Sequence, residues 1–346
     1  MKSVGDVTKV LLVFLFSLWF CGAVQASEEP DFSGFSAWLE DIRLQALGRG
    51  YSASVVDAAF NDLEPDARVI GFDRRQPEFV QTFDDYLRQR VSEDRIIRAR
   101  EFFITERDAL QKIGNHYGVD PEYIVAFWGL ESSFGRYQGK YSVIRSVATL
   151  AYDARRSAFF TRQLFAALTI LEEGHVNRED FVGGWAGAMG QNQFIPTSFL
   201  KFAQDFDGDG RKNIWSSRED VWASIAFYLQ QNQWQAGAGW GQQVRIPADL
   251  NIEDLRLTAP PAGCRAYRHH TVARTPVDWA KSGIDAESLD VNGSYALLIP
   301  DAGLTESYLV GGNFGSILSY NCANKYAVSV GLLADQIVRR SHDQEK

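Results

Sequence analysis

The sequence predicts a mainly α-helical fold carrying a small α+β part. Three observations lead there. Apolar side chains recur at three- and four-residue spacing from Asp31 to about Gly118; helical runs with start signals follow from Asp120 to about residue 231; and after Trp240 short β-type runs split by Pro, Gly and Asp precede one last helical run. With 346 residues, 45% hydrophobic and 13% aromatic, the chain can build one large core or two unequal ones.

Residues 1–26 read as a secretory signal peptide: Lys2 and Lys9, an apolar stretch from Val10 to Val24, then small residues ending at Ala26. Cleavage there leaves 320 residues and a free periplasmic protein. Cys21 raises a lipoprotein anchor as the rival, but Phe20 stands where such a signal has a small residue; an uncleaved anchor is a further alternative. Without the signal, 33 basic and 43 acidic residues leave a net charge of −10, which excludes nucleic acid as a natural partner. Cys264 and Cys322 remain, and an exported pair can join or stay as separate buried thiols; both are open.

The N-terminal helical region spans residues 27–118, with Ser52 and Ser92 as caps, and residues 92–118 fit one long amphipathic helix. A core follows at 119–240. Asp120 can cap a helix whose first turn holds Pro121 and whose last turn holds Glu131. Further helices are expected at 143–154, 158–173, 197–205 and 220–231. Residues 241–311 form the α+β insertion, with β-type runs at 242–247, 264–272 and 294–300. Within 312–346 a final helix, capped by Asn324, returns to the body; the tail 341–346 is expected to fray.

In "GLESSFG" one glutamate, Glu131, follows the apolar run "IVAFWGL". Partial desolvation beside Phe127 and Trp128, and the negative end of the helix, are expected to raise its pKa, as a general acid needs. On position alone, a solvated helix-end residue is the simpler account. The loop "FVGGWAGAMGQNQFIPTSF" adds weight: its glycines let backbone approach a ligand closely, Gln191, Asn192 and Gln193 offer neutral donors and acceptors, and Trp185, Met189 and Phe194 add apolar surface. Such a loop suits a neutral polyhydroxylated or amide-bearing ligand rather than phosphate. A glycine-rich turn that only packs two helices is the alternative.

"GLESSFGRYQGKYSVIRSVATLAYDARRSAFF", "GGWAGAMGQNQFIPTSF", "DFDGDGRKNIW" and "ILSYNCANKY", in that order, closely resemble the soluble and membrane-bound lytic murein transglycosylase B family, as does the upstream "FDRRQPEFVQTFDDYL". The resemblance implies a lysozyme-like helical catalytic domain. It implies cleavage of the β-1,4 bond between N-acetylmuramic acid and N-acetylglucosamine in peptidoglycan, with a 1,6-anhydromuramoyl product and no catalytic cofactor. The family's catalytic glutamate falls on Glu131, its substrate-binding glutamine on Gln193, a Tyr-Asn pair on Tyr320 and Asn321, and a further tyrosine on Tyr326. Two departures stand out: Gly184 replaces a serine common in the family, and Phe159 stands where some members carry tyrosine. Peptidoglycan strands are the implied partner of an expected monomer, with proteins of wall synthesis or remodelling as candidate associates. A hydrolytic muramidase or a non-catalytic wall-binding scaffold are the alternatives.

In the loop 205–220, "DFDGDGRKNIWSSRED", Asp205, Asp207 and Asp209 occupy positions one, three and five of an EF-hand pattern, with Gly210 at six. Position twelve is Ser216 instead of glutamate. The resembling family's enlarged loop points to Asp220, and to the Arg211 carbonyl, as further ligands of a structural Ca²⁺. An acidic turn without a tight ion is the alternative. "GRYQGKY" is one residue short of a P-loop, and His269-His270 has no partner at zinc spacing.

Overall fold

Six helices open the computed structural model: α1 (Phe35–Gly48), α2 (Ala53–Phe60), α3 (Ala67–Arg75), α4 (Phe83–Arg90), α5 (Glu93–Thr105) and α6 (Arg107–Tyr117). The structure describes residues 30–75, 81–300 and 306–339; the expected signal peptide with Cys21, and the tail, lie outside the described residues. Ser52 and Ser92 cap α2 and α5 through the Val55 and Arg95 amides, and Thr82 caps α4 through Asp85. The single helix expected over 92–118 is instead two. It breaks at Glu106, which ends α5 and starts α6 while its carboxylate takes the Arg218 guanidinium at 2.6 Å. The bend lets Phe102 reach Trp128 with ring centroids 4.7 Å apart while Leu110 and Ile113 bury on another face, which one straight stripe does not allow.

The next elements are α7 (Pro121–Ser132), β1 (Tyr141–Ser142), α8 (Val143–Tyr152), α9 (Ser157–Glu172), β2 (Val182–Gly183), α10 (Pro196–Phe202) and α11 (Arg218–Gln231). Asp120 stands at the start of α7 but makes no side-chain cap. Its carboxylate accepts from Trp234 Nε1 and the Gly237 amide, which ties α7 to the chain after α11. The paired strands β1 and β2 hold Tyr141 opposite Gly183.

Last come β3 (Gly241–Arg245), α12 (Pro276–Lys281), β4 (Tyr295–Leu298), β5 (Glu306–Gly311), α13 (Phe314–Tyr320) and α14 (Asn324–Arg339). The sheet is antiparallel in the order β3-β5-β4, so its central strand is one the alternation of polar and apolar residues did not single out. The run 264–272, expected as β-type, begins as a 3₁₀ turn at Arg265–His269 and pairs only through single bridges at His270 and Thr271. Trp279, Ile284, Leu297 and Leu309 close a small core of this segment's own. The main core runs from Phe35 to Ile337, so α14 does return to the helical body. Cys264 and Cys322 form a disulfide across 58 residues, stapling the α+β segment to the link between α13 and α14. Among the described residues no helix is long and apolar enough to cross a membrane.

Candidate active site

α7 packs against α5, α6, α11 and α14, and every residue from Tyr123 to Leu130 is buried. A helix apolar on all sides belongs at the centre of a bundle, and its end is where a polar group can surface. Glu131 stands there, half-buried. The chain then leaves through Ser133 and Phe134, at φ 52° and 61°, left-handed values uncommon away from glycine. This turn needs Gly129, because a Cβ at that position lies 2.7 Å from Phe134 Cζ.

α14 brings Tyr326, 195 residues away in sequence, whose hydroxyl donates to Glu131 Oε1 at 2.5 Å. Burial first, and then the Glu131 charge, push the Tyr326 hydroxyl well above its usual pKa, so it keeps its proton and acts as a donor. The Tyr320 hydroxyl is raised for the same two reasons and donates to the Asn192 carbonyl at 2.6 Å. Its ring sits 4.8 Å from Phe127 and 4.7 Å from Tyr228. Tyr228 lies in the apolar pattern of α11, where nothing in the sequence marks it. Asn321 is exposed directly after Tyr320, at the end of α13.

The glycine-rich loop doubles back on itself. Met189 and Phe194 exchange amide hydrogen bonds in both directions, making residues 190–193 a tight tip with Gln193 at φ 51°. Gln193 Nε2 donates to the carbonyls of Gln138 and Gly190 at 3.2 and 2.9 Å, and the residue stays half-buried at the surface. Its two neighbours, expected to face a ligand, turn inward. Gln191 accepts from Trp128 Nε1 at 2.7 Å and donates to the Trp215 carbonyl, while Asn192 is fully buried. Met189 and Phe194, expected at the substrate, are 0% and 3% exposed, so they carry the loop from beneath as core residues. Phe159 is half-buried at the start of α9, edge-on to Phe160 at 5.0 Å. The structure therefore brings together Glu131, Tyr326, Tyr320 and the Gln193 loop. Gly184 does not need to be glycine: a Cβ there meets nothing nearer than 3.6 Å and stands 3.7 Å from Gln193 Oε1. A Gly184→Ser protein should melt with the wild type and place a hydroxyl beside Gln193; a Tm lowered by several degrees contradicts that reading.

In the acidic loop, carboxylate oxygens of Asp205, Asp207 and Asp209 lie within 4.8 Å of one another and are exposed. Asp205 accepts from the Gly208 and Gly210 amides, and Asp207 from Asp209, which curls the loop around those oxygens. Arg211 donates its amide to Asp209. Asp220 is buried beneath the loop and accepts from the Phe206, Asp207 and Asn213 amides. Desolvation raises its pKa and these amides oppose the rise.

The family model described as "Transglycosylase SLT domain" matches residues 34–335. The chain belongs to the transglycosylase SLT domain family. Among relatives of known structure, SltB3 from Pseudomonas aeruginosa, solved in complex with NAG-NAM-pentapeptide, superposes with a TM-score of 0.81 at 38% identity, over 88% of this chain and 80% of that one. Soluble lytic transglycosylase SltB1 from the same organism gives a TM-score of 0.75 at 28% identity, over 88% and 99%. In sequence, the membrane-bound lytic murein transglycosylase B of Escherichia coli is 29% identical over 255 residues, which is 73% of this chain and 66% of that protein's own length. The transglycosylase SLT match spans α1 to α14, so it takes in both helices whose side chains meet at Glu131 and Tyr326.

Proposed function

We propose that the protein is a lytic transglycosylase that cleaves the β-1,4 bond between N-acetylmuramic acid and N-acetylglucosamine in peptidoglycan. The observation that carries this is the Glu131–Tyr326 hydrogen bond at the end of a buried helix, beside a loop that offers Gln193. SltB3's complex with NAG-NAM-pentapeptide supports the choice of substrate.

Glu131 protonates the glycosidic oxygen as the bond to C1 breaks. The resulting carboxylate then takes the proton of the C6 hydroxyl, whose oxygen attacks C1 and closes the 1,6-anhydro ring. Hydrolytic glycosidases use a second carboxylate as nucleophile or to activate water. Here the substrate's own hydroxyl fills that place. Tyr326, held protonated, orients the carboxylate; the roles we assign to Gln193 and Asn321 are hydrogen bonds to the N-acetyl group or the developing oxocarbenium charge, while Tyr320, whose hydroxyl donates to the Asn192 carbonyl, holds the loop that presents Gln193. Release of soluble muropeptides from purified sacculi tests the reading. A wall-binding scaffold sediments with sacculi and releases none.

Export to the periplasm, where the substrate lies, belongs to the same proposal, and the oxidised Cys264–Cys322 pair supports it. The oxygens of Asp205, Asp207 and Asp209 form a hard-donor set that fits Ca²⁺, with Asp220 and the Arg211 carbonyl as the proposed further ligands. The ion's role would be to hold the loop. Tm should rise by several degrees with millimolar CaCl₂ and fall back with chelator; identical melts contradict the site.

A further inference from the structure

We propose that Phe72, Tyr141 and Trp185 form a stacking platform for another sugar ring of the same glycan strand, an inference that rests on the activity proposed above. Phe72, on α3, leaves 39% of its surface in solvent, a large apolar side chain that the main core does not absorb. Its ring lies 6.2 Å from Tyr141, edge to face, and 6.1 Å from Trp185, tilted by 38°. Tyr141 and Trp185 are themselves half-buried, so the three rings make one partly exposed aromatic surface with contributions from α3, β1 and the glycine-rich loop. Two contacts fix Tyr141 within it. Tyr141 pairs with Gly183 in the β1–β2 ladder, and Arg68, fixed by Asp66 at 2.6 Å, sits 5.7 Å from the Tyr141 ring centroid.

The platform continues the candidate site. Trp185 directly follows Gly184, whose missing side chain points to within 3.7 Å of Gln193 Oε1. A strand lying over Gln193 that runs along this loop reaches the rings next. The chemistry matches as well. In a β-1,4-linked gluco-configured sugar the ring substituents are equatorial, so each face presents axial C–H bonds, and a C–H face sits well on the electron-rich face of an aromatic ring. Arg68, the cation over the Tyr141 ring, is paired with Asp66, which suits a neutral ring better than an anionic group there.

The test uses catalytically disabled Glu131→Gln protein and chitotetraose, a β-1,4-linked N-acetylglucosamine tetramer, with binding followed by calorimetry. Adding Phe72→Ala should raise Kd roughly tenfold, as truncation of an aromatic contact typically does. Phe72→Tyr, which keeps the ring, should bind like the parent. Thermal melts confirm folding of both. Equal Kd values for the parent and the Phe72→Ala protein overturn the platform, as does failure of the parent to bind the tetramer. The activity is scored separately, by muropeptide release from sacculi by the wild type, so either proposal can fail without the other.

Discussion

Glu131→Gln protein folds, sediments with sacculi like the wild type, and releases muropeptides at least about a thousandfold more slowly, within the span associated with removing a general acid–base group. The substitution is close to isosteric. Its amide oxygen can still accept from Tyr326, so the hydrogen bond that joins α7 to α14 survives. What is lost is a proton that can be given to the glycosidic oxygen and later recovered from the C6 hydroxyl. The assay is a time course of soluble muropeptides at matched protein concentration, with pelleting as the control for binding. Wild-type rates from the variant contradict the assignment of Glu131. Inert wild type and variant that both pellet with sacculi support the scaffold reading.

Opening the Cys264–Cys322 link should cost about 4 kcal/mol, the chain-entropy value for a loop of this length. The effect should extend to activity. Cys322 lies between Asn321 and the helix that carries Tyr326, and Asn324, at the start of that helix, is held by His270 at 2.8 Å and donates to the Ala266 carbonyl at 2.9 Å. Losing the staple loosens the segment that sets both tyrosines. A Cys264→Ser, Cys322→Ser protein should unfold at a lower denaturant midpoint and show a reduced kcat on sacculi. An unchanged midpoint contradicts the structural role, and an unchanged kcat contradicts the link to the tyrosines.

Helices were legible wherever a cap met an apolar period, as at Ser52 and Ser92, because both signals are local. The break at Glu106 was not, because the partner that claims its carboxylate, Arg218, comes 112 residues later. Asp120 has a cap's position, yet tertiary partners, Trp234 and Gly237, take its oxygens. The run 264–272 has strand-like composition, but it turns as a short 3₁₀ helix beside the disulfide at Cys264. In the site, the place of Glu131 at a helix end was legible, but position alone favoured a solvated residue, and the resemblance made it the catalytic candidate. Its hydrogen bond to Tyr326 spans 195 residues, and only the resemblance placed that tyrosine in the site. The loop amides show the opposite error. Composition offered Gln191 and Asn192 to a ligand, whereas packing against Trp128 and α11 uses them to hold the loop, leaving Gln193 at the surface.

The most direct test of the account is the mass of the products. Purified peptidoglycan digested by the wild-type protein should yield muropeptides ending in 1,6-anhydromuramic acid, each one water lighter than its reducing-end counterpart, because the C6 hydroxyl takes the place of water at C1. Products carrying only reducing ends contradict a one-carboxylate mechanism and require a water-activating group besides Glu131.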